Sequence, residues 1–323
     1  MRQSAYVFGN MKHEAGLKLG TILIGVTLAT VLLGGCWLYT PDKPRAVLEQ
    51  LYLRQASDML DVASTQLHVR DDGPKDAPVI ILLHGFGSSL HTFEPWAEAL
   101  KADYRVVRLD LPGSGLSPPD PTGDYTDARS IALILVLMDD LGIETATLVG
   151  NSIGGRIAWN MAVDHPERVA KLVLISPDGF ASPGFAYGEA ADVPTVMKAM
   201  RFTLPKSAIR PNLAASYGDP GLLTEATVKR YHDLMLAPGG RGALLKRMEQ
   251  TVLTDPATRL PQIKAPVLLL WGRKDRLIPF SNSADYTKLL ADSRLVAFKD
   301  LGHVPMEEDP AQSLAPLKAF LAE

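Results

Sequence analysis

Three kinds of pattern follow one another along the chain. Residues 19–41 carry no charge and are dominated by Ile22, Leu23, Ile24, Val26, Leu28, Val31, Leu32 and Leu33. Residues 42–64 are charged and helix-prone, a connector set off from the preceding run by Pro41 and Pro44. Beyond them, short apolar runs alternate with amphipathic stretches. The runs 79–83, 105–111, 145–149, 171–175, 266–271 and 294–298 are continuously hydrophobic, the pattern of strands buried on both faces of a parallel sheet. Stretches 128–141, 153–164, 281–290 and 310–321 have helical spacing. Repeated strand–helix units predict a doubly wound, mostly parallel α/β sheet.

That rhythm breaks once. About 85 residues separate Asp178 from Ile263, where such connections take about two to six. Helical patterns fill the gap. Thr224 can cap a helix bearing Val228, Tyr231 and Met235, and a second pattern carries Leu244, Leu245, Met248 and Val252. Asp192 and Pro194 can start an earlier helix bearing Val196, Met197 and Met200, limited by Pro205. The expected layout is an α/β core over 65–178 and 263–323 with a helical cap over 179–262. A length of 323 residues agrees with one large unit plus an insertion, or with roughly two domains.

Read as a helix at about 1.5 Å per residue, the 23 residues from 19 to 41 reach about 34 Å, enough to cross a hydrocarbon core of about 30 Å. Trp37 and Tyr39 at its far end suit the membrane interface. Residues 1–41 are therefore expected to be either an uncleaved anchor or a signal segment. The second reading rests on Leu33-Gly34-Gly35-Cys36, which resembles a bacterial lipoprotein processing box, with Met11-Lys12 as the true start and Cys36 lipidated. Arg2, Lys12 and Lys18 before the run are matched by Lys43, Arg45 and Arg54 after it, so charge sets no orientation. Either reading tethers the remainder, expected on the periplasmic side of a bacterial inner membrane. The plainer alternatives are a buried core helix and Cys36 as an ordinary small apolar residue.

Composition removes several classes. With 33 Lys+Arg against 36 Asp+Glu, net −3, and no basic block, the footprint of a nucleic-acid binder is missing. At 46% hydrophobic residues the chain is too apolar to be disordered. The single Cys can form no internal disulfide and cannot supply the paired thiolates of a structural zinc site, and no metal or cofactor is expected.

The chemistry concentrates where a predicted strand meets a predicted helix. Gly150-Asn151-Ser152-Ile153-Gly154 is the only G-x-S-x-G in the chain. A nucleophile on so sharp a turn needs neighbours without side chains two positions to either side, which Gly150 and Gly154 provide. A serine hydroxyl also needs a base to take its proton and a third group to hold that base in the right tautomer. Of seven histidines, His13 precedes the apolar run, His68 lies in a predicted strand and His84 belongs to another motif. His91 and His165 stand in polar contexts and His232 in the expected cap. This leaves His303, just after the last predicted strand. Asp275, in the turn after the penultimate strand, is the candidate orienting acid, with Asp178 as the competing one. The order Ser152, Asp275, His303 is the one such a sheet uses. Phe86 and Ile153 are the candidate backbone donors to an oxyanion, each worth about 3 kcal/mol in the transition state. His84 is read as stabilising the Phe86 loop by hydrogen bonding. Met197 and Met200 in the cap and Met306 near His303 are candidate contacts for an apolar substrate group, the alternative being core packing.

Over residues 66–322 these motifs resemble the α/β-hydrolase superfamily. His84-Gly85-Phe86-Gly87, Asp110-Leu111-Pro112-Gly113-Ser114-Gly115, the serine turn, Asp275 and His303 all fall in its order. The serine turn and Trp271-Gly272-Arg273-Lys274-Asp275-Arg276 are similar to hydrolases that cleave carbon–carbon bonds in ring-fission products of aromatic degradation. Those enzymes usually carry Trp after the catalytic His, where this chain has Val304. They also have a Ser-Gly-Pro-Gly type loop in place of Phe86-Gly87-Ser88-Ser89. Haloalkane dehalogenases and epoxide hydrolases are similar too, but use Asp at the position of Ser152. The resemblance implies a capped serine hydrolase. The leading expectation is a membrane-tethered enzyme cleaving a carboxylic ester of an apolar small molecule through an acyl-enzyme. The alternatives are carbon–carbon bond hydrolysis and a non-catalytic ligand-binding homologue.

Overall fold

The structure, a computed structural model, describes residues 39–323. The lipoprotein-like box at Cys36 and all but the last three residues of the charge-free run lie outside the described residues. Among the described residues no helix is long and apolar enough to cross a membrane. The chain divides into two units. In the small one, residues up to Pro41 together with Phe202–Pro205, the Thr40 N–H donates to the Phe202 carbonyl at 2.9 Å. The large one takes in Asp42–Arg201 and Lys206–Glu323.

The large unit is built on an eight-stranded sheet. In chain order its strands are β1 (Met59–Val62), β2 (Thr65–Asp72), β3 (Val79–Leu83), β4 (Arg105–Leu109), β5 (Ala146–Asn151), β6 (Val169–Ile175), β7 (Val267–Gly272) and β8 (Ser293–Phe298). Their spatial order is β1-β2-β4-β3-β5-β6-β7-β8. β1–β2 and β2–β4 pair antiparallel and the remaining neighbours pair parallel. The central strands are the continuous apolar runs of the sequence: Leu82, Leu83, Leu148, Val149, Leu172, Leu174, Leu269 and Leu270 are all fully buried. After β3 the chain steps outward to β4 and then returns to β5 on the other side, so the carboxyl ends of β3 and β5 meet at a topological switch point. Open α/β sheets bind their ligands at such a point.

The helices covering the sheet start on local signals. Asp127–Asp140 is capped by Thr126, whose hydroxyl accepts from the Arg129 N–H at 3.1 Å, and Pro310–Leu321 by Asp309, accepting from the Gln312 N–H at 2.9 Å. Each such cap contributes about 1 kcal/mol. Between β6 and β7 the expected insertion is helical: Thr195–Lys198, Lys206–Ala214, Glu225–Met235, Gly240–Glu249 and Pro256–Arg259. Thr224 caps its helix as expected, accepting from the Thr227 N–H at 3.1 Å. The pattern running to Val252 breaks at Glu249, because Val252 instead bridges to Ala190 in extended backbone. The helix expected to bear Val196, Met197 and Met200 is a single turn followed by a 3-10 turn, Ala199–Arg201.

Residues 42–64 do more than connect. The helix Arg45–Tyr52 is there, but its Leu48 is buried in a small cluster with Leu116 and Leu234. The Lys43 ammonium and the Tyr52 hydroxyl both donate to Asp233 in the insertion, at 2.6 and 2.9 Å. The same stretch also contains β1. Only Val62 of its four residues is buried, too short a signal for periodicity to register. Ala63 and Ser64, both at positive φ (47° and 63°), turn β1 into β2.

Candidate active site

Ser152 sits between β5 and the helix Ile153–Asp164, at φ 54° and ψ −121°. A non-glycine residue held there stores about 1–3 kcal/mol of strain, which the flanking packing must offset. The packing is tight: a Cβ on Gly150 would run into the Gly154 carbonyl, and one on Gly154 into the Leu83 carbonyl of β3. The turn is pinned through its backbone, the Ser152 N–H donating to the Ile175 carbonyl at 3.1 Å and its carbonyl accepting from the Asp178 N–H at 3.1 Å. The Ser152 side chain makes no capping hydrogen bond.

The structure brings His303 and Asp275 together and separates Asp178 from them. The His303 Nδ1–H donates to Asp275 Oδ2 at 2.8 Å, since a carboxylate can only accept. The other oxygen of Asp275 is fixed by the N–H groups of Leu277 and Ile278, at 2.8 and 2.9 Å. With Nδ1 protonated, the neutral imidazole presents Nε2 as an acceptor, the tautomer a general base needs. Both residues are buried at the carboxyl ends of β8 and β7. Asp178 is instead engaged by the guanidinium of Arg156, which also binds Asp127. Asn151 joins the two halves, its amide donating to the Ile175 carbonyl at 3.1 Å and to the His303 carbonyl at 3.0 Å. As the variable position of the serine motif, Asn151 carries no signal of this role in the sequence.

The loop after β3 lies against this turn, for a Cβ on Gly85 would come within 3.2 Å of the Ser152 Cβ. The Ser88 N–H closes it onto the Gly85 carbonyl at 3.2 Å, with Phe86 and Gly87 between them. His84 acts as expected. Its Nε2 accepts from the Leu111 N–H at 3.0 Å, so its Nδ1–H donates to the Gly85 carbonyl at 2.7 Å, and complete burial pushes the ring below its ordinary pKa and keeps it neutral. Phe86 stands in this loop, and Ile153 opens the helix that follows Ser152.

The insertion contributes more to the site than its pattern announced. The His303 N–H donates to the Ser216 carbonyl at 2.7 Å. Glu308, buried on the short helix Pro305–Glu308, accepts from the N–H groups of Gly302 and Gly218 at 2.7 and 2.6 Å. Burial raises its carboxyl above the ordinary range despite those donors. Its neighbour Glu307 accepts from Tyr217, Arg230 and Tyr231, all in the insertion. Neither glutamate stands in a motif, and their adjacency to His303 is the only signal that could have found them. The methionines divide. Met306 is fully buried on a helix packed against Glu94–Leu100 and offers no surface to an entering ligand, while Met197 and Met200 are only partly covered on the 195–201 turns. The apolar groups beside the Phe86 loop are Leu234, Met235 and Leu244, which line a small cleft with Gly87 and Ser88.

Comparison with known proteins matches residues 78–310 to the profile of the alpha/beta hydrolase fold. The 2-hydroxy-6-oxo-6-phenylhexa-2,4-dienoate hydrolase of Comamonas testosteroni is 29% identical over 251 residues, covering 75% of this chain and 86% of its own length. The magnesium-chelatase 30 kDa subunit of Rhodobacter capsulatus is 32% identical over 270 residues, covering 81% and 93%. Among solved structures, the enol-lactonase from Burkholderia xenovorans LB400 superimposes with a TM-score of 0.69 at 25% identity, over 82% of this chain and 100% of that one.

Proposed function

The chain belongs to the alpha/beta hydrolase fold family, and on that premise we propose that it is a serine hydrolase cleaving a carboxylic ester of an apolar small molecule through an acyl-enzyme. Ser152 Oγ attacks the ester carbonyl as His303 Nε2 takes its proton. Asp275 holds the ring and stabilises the imidazolium that forms. The oxyanion is met by the N–H groups of Phe86 and Ile153. The imidazolium then protonates the leaving alcohol, and water, deprotonated by the same ring, releases the acid. The observation that carries this reading is the 2.8 Å bond from His303 to an Asp275 whose second oxygen is already fixed. The lactonase likeness supports an ester.

Turnover of short-chain p-nitrophenyl esters by the full chain in detergent tests this. Ser152→Ala is expected to lose about 10⁶-fold in kcat with an unchanged melting temperature. Equal activity in variant and wild type would leave a ligand-binding homologue as the better reading. Carbon–carbon bond hydrolysis is the second reading, favoured by the dienoate hydrolase relative. Efficient cleavage of a coloured ring-fission dienoate with negligible esterase activity would put it first.

Tethering rests on the charge-free run 19–41, which is long enough to span a bilayer. The mass of the mature N-terminus separates its two forms. An intact start means an anchor, whereas lipid on Cys36 means a processed lipoprotein.

A further inference from the structure

We infer that Tyr231 is a positioning residue of this site, holding the turn that carries Phe86 in register with the helix that follows His303. The inference rests on the reading of Ser152, His303 and Phe86 given above. Tyr231 comes from the insertion, on the helix Glu225–Met235, and is itself buried. Its hydroxyl lies 3.1 Å from Ser88 Oγ and 3.1 Å from Glu307 Oε1. Glu307 also takes the Arg230 guanidinium at 2.8 Å on that oxygen and the Tyr217 hydroxyl at 2.7 Å on the other. Beside that cation the carboxylate is an acceptor only, so the single phenolic proton goes to Glu307. The Ser88 hydroxyl must then donate to the phenol oxygen. The chain of bonds therefore has one direction, from Ser88 through Tyr231 to Glu307.

Each end of this chain touches a different half of the site. Ser88 closes the Gly85–Ser88 turn with its own N–H, so whatever fixes Ser88 also fixes the plane of the peptide that presents the Phe86 N–H. The Gly85 end of that turn is already held by the His84 ring. Without the phenol, the Ser88 side chain loses its tie to Glu307, and the turn keeps only its own backbone closure onto Gly85 and the anchorage of Ser89 and Leu90 that follow. Glu307 sits four residues past His303, and Glu308 grips the Gly302 N–H just before it. The oxyanion donor and the base, which come from different strands, are thus referred to one side chain supplied by neither.

The test compares Tyr231→Phe, Ser88→Ala and the double variant in the full-length chain, by kcat and KM on p-nitrophenyl butyrate. Tyr52→Phe, which removes a 2.9 Å bond to Asp233 on the same helix without reaching the loop or Glu307, is the control for a merely structural role. Tyr231→Phe and Ser88→Ala are each expected to lower kcat about 3- to 10-fold with KM within about twofold, the scale of one hydrogen bond lost from transition-state alignment. Their effects are expected not to multiply in the double variant, because both remove the same link. Tyr52→Phe is expected to lower the melting temperature as much while leaving kcat within about twofold. Unchanged kcat in Tyr231→Phe, multiplying losses, or an equal kcat loss in Tyr52→Phe would each overturn the inference. Should Tyr231→Phe fail to fold, Ser88→Ala at its half-buried position measures the same loss of kcat. A wild type that labels with a fluorophosphonate beside an unaffected Tyr231→Phe removes this inference alone. A wild type that neither labels nor turns over any ester removes the proposed function and this inference with it.

Discussion

Asp275 shows how much of the site depends on which atom carries a proton. An Asn there can keep its carbonyl oxygen toward Leu277 and Ile278, and its amide then points a donor at His303 Nδ1. The ring must answer with its other tautomer, Nε2–H, which cannot accept the proton of Ser152. Asp275→Asn is therefore expected to fold normally and to lose about 10⁴-fold in kcat, read by steady-state esterase kinetics beside a thermal melt. Asp178→Asn is expected to behave differently. It weakens the pairing with the buried Arg156 and so lowers stability, while leaving the His303–Asp275 bond intact. The strand-end places of Ser152, Asp275 and His303 are legible in the sequence because each stands in a short motif. The sequence prefers Asp275 to Asp178 by its place after the penultimate strand, and what it does not carry is the partner of each, His303 for the one and Arg156 for the other.

At the scale of elements, the serine turn works because strand and helix meet backbone to backbone. Gly150→Ala puts a methyl group into the Gly154 carbonyl, which has no rotamer by which to yield. A loss of about 3 kcal/mol in denaturant unfolding is expected, with activity falling in step because the displaced helix carries the Ile153 N–H. The strands of the core were readable because burial on both faces leaves unbroken apolar runs, and β7 and the helix Pro310–Leu321 lie within a residue of where the pattern placed them. β1 escaped because a four-residue edge strand with one buried side chain leaves no period to detect. The helix Lys206–Ala214 escaped for another reason, as Pro211 inside it reads as a breaker rather than a member.

Over the whole molecule, acid should be the effective denaturant. Burial alone would raise the carboxyls of Asp71, Asp72, Glu94 and Asp110. Arg105 with Lys75, Arg54 with Arg108, Arg108 with Arg70, and His68 with its neighbouring histidines respectively outweigh it together, so all four titrate below their ordinary range, Asp110 at about 2. In the unfolded chain these groups take up protons near pH 4 that the folded chain still refuses. Their stabilisation is therefore complete above about pH 4 and drains away between about pH 4 and pH 2, where melting temperatures are expected to fall steeply. A melting curve flat from pH 6 down to pH 2 would contradict this. The cradle of His303 has a consequence of another kind. Because the histidine's own N–H rests on Ser216, and Gly218 shares a buried carboxylate with Gly302, the insertion cannot be traded like a cassette. A chimera joining this sheet to a relative's insertion should yield a protein with an intact core and a misaligned base. Recombination within the family would then have to inherit residues 216–218 and 302–308 as a single block.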